Sequence, residues 1–202
     1  MATRTFVSGF LVMALAFCAS LDAAEAPTVY RSEEGHFTFS LPAGWHQIPQ
    51  SRIQKMNEPN PPAYHFACGF QKGTPKEITV PYPYVLIQIK RKPRESKESL
   101  KTYMENAEPL AAVADLAKYI REKRYLKKPE LYSKQNDAFF FIRQNAGEKN
   151  ILSVMVKRFC DYGYVLMHFY LGDNLDEDVS AIKMVVGSFT FEKENDPASK
   201  TK

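Results

Sequence analysis

The chain has 202 residues, 45% hydrophobic and 25% charged, which is the composition of one globular domain able to bury a sizeable core. Its formal net charge of +4 is too mild for a nucleic-acid footprint.

The first two dozen residues form a separate object. Arg4 supplies a positive start, Phe6 to Ala19 is an apolar run, and Ser20 to Ala26 offers small residues for cleavage, so residues 1–24 read as a secretory signal peptide. A spanning helix needs about 20 apolar residues, and this run stops at Ser20 and Asp22. Leu15-Ala16-Phe17-Cys18 has the outline of a lipobox, but Phe17 stands where a small residue belongs. Cleavage is expected after Ala23 or Ala24, since a cut after Ala26 would leave Pro27 in front. Its removal takes away Arg4 and Asp22 together and leaves the net charge unchanged. The expectation is an exported protein, periplasmic or extracellular, with one globular domain over 25–192 and a disordered tail over 193–202.

Two strands open that domain, Thr28 to Arg31 and Phe37 to Leu41, joined by the Ser32-Glu33-Glu34-Gly35 turn. In the second, Phe37, Phe39 and Leu41 share a face. Pro42 lacks an amide hydrogen for the ladder, Gly44 lets the backbone bend, and Trp45, the only tryptophan, is expected to cover the edge of the core. Arg52 to Pro62 reads as a polar loop closed by Asn-Pro-Pro. Tyr64 to Phe70 and Tyr84 to Lys90 read as strands.

The period then becomes helical from Ser96 to Arg124, in two segments divided by Pro109, with an apolar stripe expected to pack on a sheet. An antiparallel meander follows over Glu130 to Lys134, Ala138 to Gln144, Asn150 to Cys160 and Tyr164 to Gly172. "AFFFI" and "YVLMHFYL" are apolar on both faces, as central strands covered on both sides would be. Asn174, with Glu177 three residues on, caps a last helix, and Phe189-Thr190-Phe191 closes the fold as a strand.

Export leaves Cys68 and Cys160 in a compartment that permits disulfides. Paired, they would close a loop of about 90 residues, which chain entropy rates at roughly 4–5 kcal/mol; alternatively each is a small buried hydrophobe. Basic residues cluster at Lys90, Arg91, Lys92 and Arg94 and again at Arg121 and Arg124, either as solvated element ends or as a patch for an anionic partner or membrane surface.

The words Phe37-Thr38-Phe39-Ser40-Leu41-Pro42, Gly44-Trp45 and Ile182 to Phe191, "IKMVVGSFTF", together with the order of strands, helix and meander between them, resemble the PsbP-like superfamily, DcrB-like bacterial envelope proteins included. The resemblance implies an α+β fold, an α/β/α sandwich around a mainly antiparallel sheet, and a family of protein binders. It implies no catalytic, cofactor or metal residues.

The residues themselves offer no catalytic set. With a three-residue loop at Asp161-Tyr162-Gly163, Cys160 and His168 would share a face but stand about 13 Å apart, where a nucleophile and its base need about 3 Å. His36, His46 and His65 lack metal-ligand spacing, and there is no glycine-rich phosphate loop. Two functions remain. One is a non-catalytic envelope module that docks a protein partner through the basic ends or the 52–62 loop. The other is a carrier or sensor of a small apolar ligand held between the long helix and the sheet among Tyr103, Leu110, Phe140 and Phe169.

Overall fold

The computed structural model describes residues 26–74, 80–91, 97–127, 130–145, 151–160 and 163–192. The expected leader, the tail, Lys92 and Arg94 lie outside these residues. The elements, in chain order, are β1 (Thr28–Ser32), β2 (Phe37–Leu41), β3 (Trp45–Gln47), α1 (Gln50–Asn57), β4 (Cys68–Lys72), β5 (Tyr84–Arg91), α2 (Lys97–Asn106), β6 (Glu108–Pro109), α3 (Leu116–Arg121), β7 (Glu130–Ser133), β8 (Ala138–Asn145), β9 (Ile151–Cys160), β10 (Gly163–Tyr170), α4 (Leu175–Ser188) and β11 (Thr190–Phe191).

They form two sheets. The larger runs β3-β4-β5-β10-β9-β8-β7-β6 and the smaller β1-β2-β11. Every ladder is antiparallel except the short β6–β7 pair. The α+β class and the mainly antiparallel sheet are those expected from the sequence.

The chain passes from one sheet to the other at Pro42 to Trp45. Gly44 takes φ +73, a left-handed conformation open to glycine, and the Trp45 amide donates to the Pro42 carbonyl at 3.2 Å. Trp45 then pairs with Lys72 on β4, its side chain 7% exposed in the main core. This corner is where the fold changes sheets.

The register divides the large sheet into two faces. Val85 and Ile87, Val165, Met167 and Phe169, Val154 and Val156, and Phe140 and Ile142 lie on one of them. They join one core with Phe37, Phe39 and Leu41 of the small sheet, Leu116 of α3, and Val179, Ile182 and Val185 of α4. This is the inner face. The N-terminus of α4 is held by Asn174, whose Oδ1 accepts from the Glu177 amide, and by Asp178, which accepts from the Gly172 amide. Arg121 bonds Asp176 at 2.5 Å and ties α3 to α4.

Several expectations are corrected. Residues 50–57 form a helix, because Ile53 docks fully buried beside Ile48 and Leu86 on the other face of the sheet; the Pro-rich segment does end it. Pro62 to Tyr64 coil into a 3-10 turn, so the next strand starts at Cys68. Pro109 neither opens nor kinks a helix. It lies in β6, and Leu110 donates to the Tyr132 carbonyl beyond it, so the helical stripe is split into α2 and α3. The β9–β10 register sets Cys160 opposite Gly163 and His168 opposite Met155, one residue from the expected pairing. That shift of one residue puts Cys160 and His168 on opposite faces.

The candidate disulfide also falls. Neither Cys68 nor Cys160 is in a disulfide. Cys68 lies opposite Ile87, Ile87 opposite Met167, and Met167 opposite Val156, so β4 and β9 are three strands apart, roughly 14 Å at ~4.8 Å per strand. A disulfide needs its two Cα atoms within about 7 Å. Cys68 is instead a small buried core residue, with burial pushing its thiol up to about 11.

Candidate functional site: a basic groove on the outer face

The other face of the large sheet is covered only in part. Beside β4 and β5, α1 packs through Ile53 and Met56, with Phe66 and Tyr84 next to them. Toward β8, Tyr103 of α2 meets Phe139 with ring centres 4.7 Å apart, and the Lys157 ammonium lies over the rings of Tyr103, Phe159 and Tyr164. Between these covers runs a groove of about 530 Å³, bounded by the Pro62–His65 strap, Gln88 to Arg91 of β5, Arg143 of β8, Met155 of β9, and Tyr164, Leu166 and His168 of β10.

The strap is a built wall. Asn57 at the end of α1 acts as a second backbone, accepting from the Phe66 amide at 2.8 Å and donating to its carbonyl at 2.9 Å. Asn60 donates to the Met56 carbonyl, and the His65 ring bonds the Asn60 carbonyl at 2.8 Å. Gln88 rises from the floor and donates to the Tyr64 carbonyl, joining strap to sheet. Lys90 sits 5.1 Å from the centre of the Tyr64 ring.

That bond fixes the Gln88 side chain so that its Oε1 faces His168 Nε2 at 3.2 Å. Nε2 therefore carries the hydrogen, and Nδ1 is the unprotonated nitrogen. Burial, then the charges of Arg143 and Lys90, push the imidazole down to about 4. The floor is thus polar but uncharged at neutral pH. Among the described residues no Asp or Glu lines the groove, while Lys90, Arg91 and Arg143 do. Arg91 donates to the Glu34 carbonyl at 3.0 Å, and Arg143 makes no ion pair or side-chain hydrogen bond among the described residues. Such a site repels metal cations and attracts anions.

The structure divides the residues expected to form a basic patch. Lys90 belongs to the groove, whereas Arg91 borders its end and has the inner-face parity of Val85 and Ile87, with its guanidinium on the Glu34 carbonyl. Arg121 and Arg124 lie elsewhere, Arg121 on Asp176 and Arg124 on Glu108 at 2.6 Å and over the Tyr119 ring at 4.1 Å. The expected apolar-ligand site is likewise split by the sheet. Leu110, Phe140 and Phe169 are closed into the inner core, whereas Tyr103 is on the outer side.

Arg143, Met155, Leu166 and His168 were not singled out as binding residues by the sequence. Their signal is parity. Gln88 in "YVLIQIK" and His168 in "YVLMHFYL" are the polar interruptions of apolar strands, and both fall on the outer face. Nor is β10 covered equally on its two sides: burial alternates strictly along it, with every outer residue half-buried.

No family model and no curated protein matches the chain. Among solved structures it is similar to the solution structure of cyanobacterial PsbP (CyanoP) from Synechocystis sp. PCC 6803, with 11% identity over 88% of this chain and 98% of that one, and a TM-score of 0.46. No residue role is carried over from it.

Proposed function

We propose that the protein is a non-catalytic, exported cell-envelope module that docks an acidic protein partner in the outer-face groove. The observation that carries this reading is the charge of the groove: Lys90 and Arg143 and, among the described residues, no carboxylate around an apolar and neutral-polar floor. Docking there follows ordinary electrostatic complementarity, in which opposite charge steers approach and fixes register. The binding reading is further supported by the wrong geometry for thiol–base chemistry, since Cys160 and His168 occupy opposite faces. The resemblance of the opening and closing strand words to envelope proteins, and the leader-like residues 1–24, support export.

The test is affinity capture from the envelope fraction of the host, comparing the natural chain with the Lys90→Glu/Arg143→Glu double variant. A partner retained by the first and lost by the second, with an unchanged melting temperature and with capture weakened by salt, supports the proposal. Equal capture by both overturns it. Sequencing of the mature N-terminus should begin between Asp22 and Glu25; an intact Met1 would overturn the export part alone.

A further inference from the structure

His168 stands in the middle of the groove floor, opposite Leu86 on β5 and Met155 on β9. Arg143 lies two strands and two residues from it on one side, and Lys90 one strand and four residues from it on the other. At ~4.8 Å per strand and ~3.3 Å per residue, their Cα atoms are roughly 12 and 14 Å from that of His168. The other titratable or charged groups facing this floor are Lys157 of β9, Tyr84 of β5, Tyr164 and Tyr170 of β10, and Tyr64 and His65 of the strap, with Arg91 at the end of the groove. Toward this face α1 presents Ile53 and Met56. The imidazole itself is half committed. Its Nε2 donates to Gln88, which the Tyr64 carbonyl fixes in turn, and its Nδ1 has no hydrogen-bond partner among the described residues.

We infer that the groove floor binds a carboxylate of the partner together with one proton, which His168 Nδ1 takes up from solvent. This rests on the docking reading above and adds its regulation by pH. An unprotonated Nδ1 turns a lone pair toward a carboxylate oxygen, whereas a protonated one donates to it. The proton alone is disfavoured there, because burial and the charges of Arg143 and Lys90 oppose a further positive charge. The carboxylate alone is disfavoured too, since it would give up water to face a lone pair. Arriving together, the two charges offset each other on the floor and form a charge-assisted hydrogen bond. Docking and protonation then promote one another by the same factor. Lys90 and Arg143 act through their field and keep the positions and partners they have. A carboxylate within about 4–6 Å raises an imidazole pKa by roughly 1–3, so the His168 value should move from about 4 to about 6 on docking. Affinity should rise as pH falls through that window and level off near 4, where the free chain already holds the proton and carboxylates become neutral.

The probe is the peptide acetyl-Ala-Asp-Ala-Asp-Ala-amide, titrated into the full chain by NMR in buffers free of carboxylate. Binding should be about tenfold tighter at pH 5 than at pH 7.5. Nitrogen NMR of the imidazole, which needs no variant, should show His168 titrating near 4 in the free chain and about 6 at saturating peptide. His168→Gln should bind no more tightly at pH 5 than at pH 7.5. A gain at pH 5 that survives in His168→Gln overturns the inference, as does an equal gain with acetyl-Ala-Asn-Ala-Asn-Ala-amide. A His168 titration that the peptide leaves unmoved overturns it as well. If the peptide binds equally at the two pH values, this inference falls and the docking reading stands. If it binds at neither, this inference falls, and envelope capture decides the docking reading on its own.

Discussion

On β10, Val165, Met167 and Phe169 are buried in the core shared with α4, while Tyr164, Leu166, His168 and Tyr170 on the same strand remain half-exposed. The inner face holds its cover through many interlocking apolar contacts. The outer face has α1 at one side and α2 at the other, with charge and histidine between. The difference teaches that hydrophobicity of a strand does not by itself say which face is sealed. It depends on what the rest of the chain lays over it, and here two short helices leave the middle open.

The largest test of this contrast is truncation on either side of the sheet. Phe140→Ala or Trp45→Ala on the inner face should cost about 3–5 kcal/mol, whereas Leu166→Ala on the half-open face should cost about 1 kcal/mol. Chemical denaturation of the three variants gives the comparison directly. A Leu166→Ala loss equal to that of Phe140→Ala would mean that the outer face is sealed too.

Next in size is a pH effect confined to the outer face. His168 is held at about 4 against an unfolded value near 6.5, so between these limits the unfolded chain binds more protons. Stability should therefore be fully present above pH 6.5 and fall as pH drops toward 4, by up to roughly 3 kcal/mol. His168→Gln should flatten that slope in urea melts run across the same range. An unchanged slope would place His168 in an environment no different from water.

Much of this architecture was legible in the sequence. The meander could be read because Gly, Asn and Asp punctuate apolar runs, and α4 because Asn174 and Glu177 mark its start. Residues 50–57 were less legible, since one buried residue, Ile53, anchors a helix whose composition is polar. Pro109 misled for a related reason: β6 is only two residues long, and its pairing with β7 comes from tertiary contact. The groove was only half legible. Lys90 and Arg91 stood out as a cluster, but Arg143 joins them through a register that spans four strands, and the β9–β10 turn had to be right by one residue to place His168 on the same face.

A smaller effect is expected at Gln71, which is buried with both amide atoms unpaired among the described residues. Gln71→Met should be neutral or stabilising by about 1 kcal/mol, because it removes groups that cost energy to bury. A destabilisation of similar size would mean that the amide is satisfied in solution. Thiol labelling of the unfolded, unreduced chain should modify both Cys68 and Cys160, and protection of both would restore the disulfide. Smallest of all, Arg121→Ala breaks an exposed pair with Asp176 and should change neither stability measurably nor partner capture.

The central claim is that partners dock on the outer face and not on the helical side. A photo-crosslinking residue placed at Leu166, on the groove floor, and separately at Met184, exposed on α4, tests it in the native host. The account predicts a partner adduct from position 166 that disappears with Lys90→Glu/Arg143→Glu, and none from position 184. An adduct from position 184 with none from 166 would contradict it.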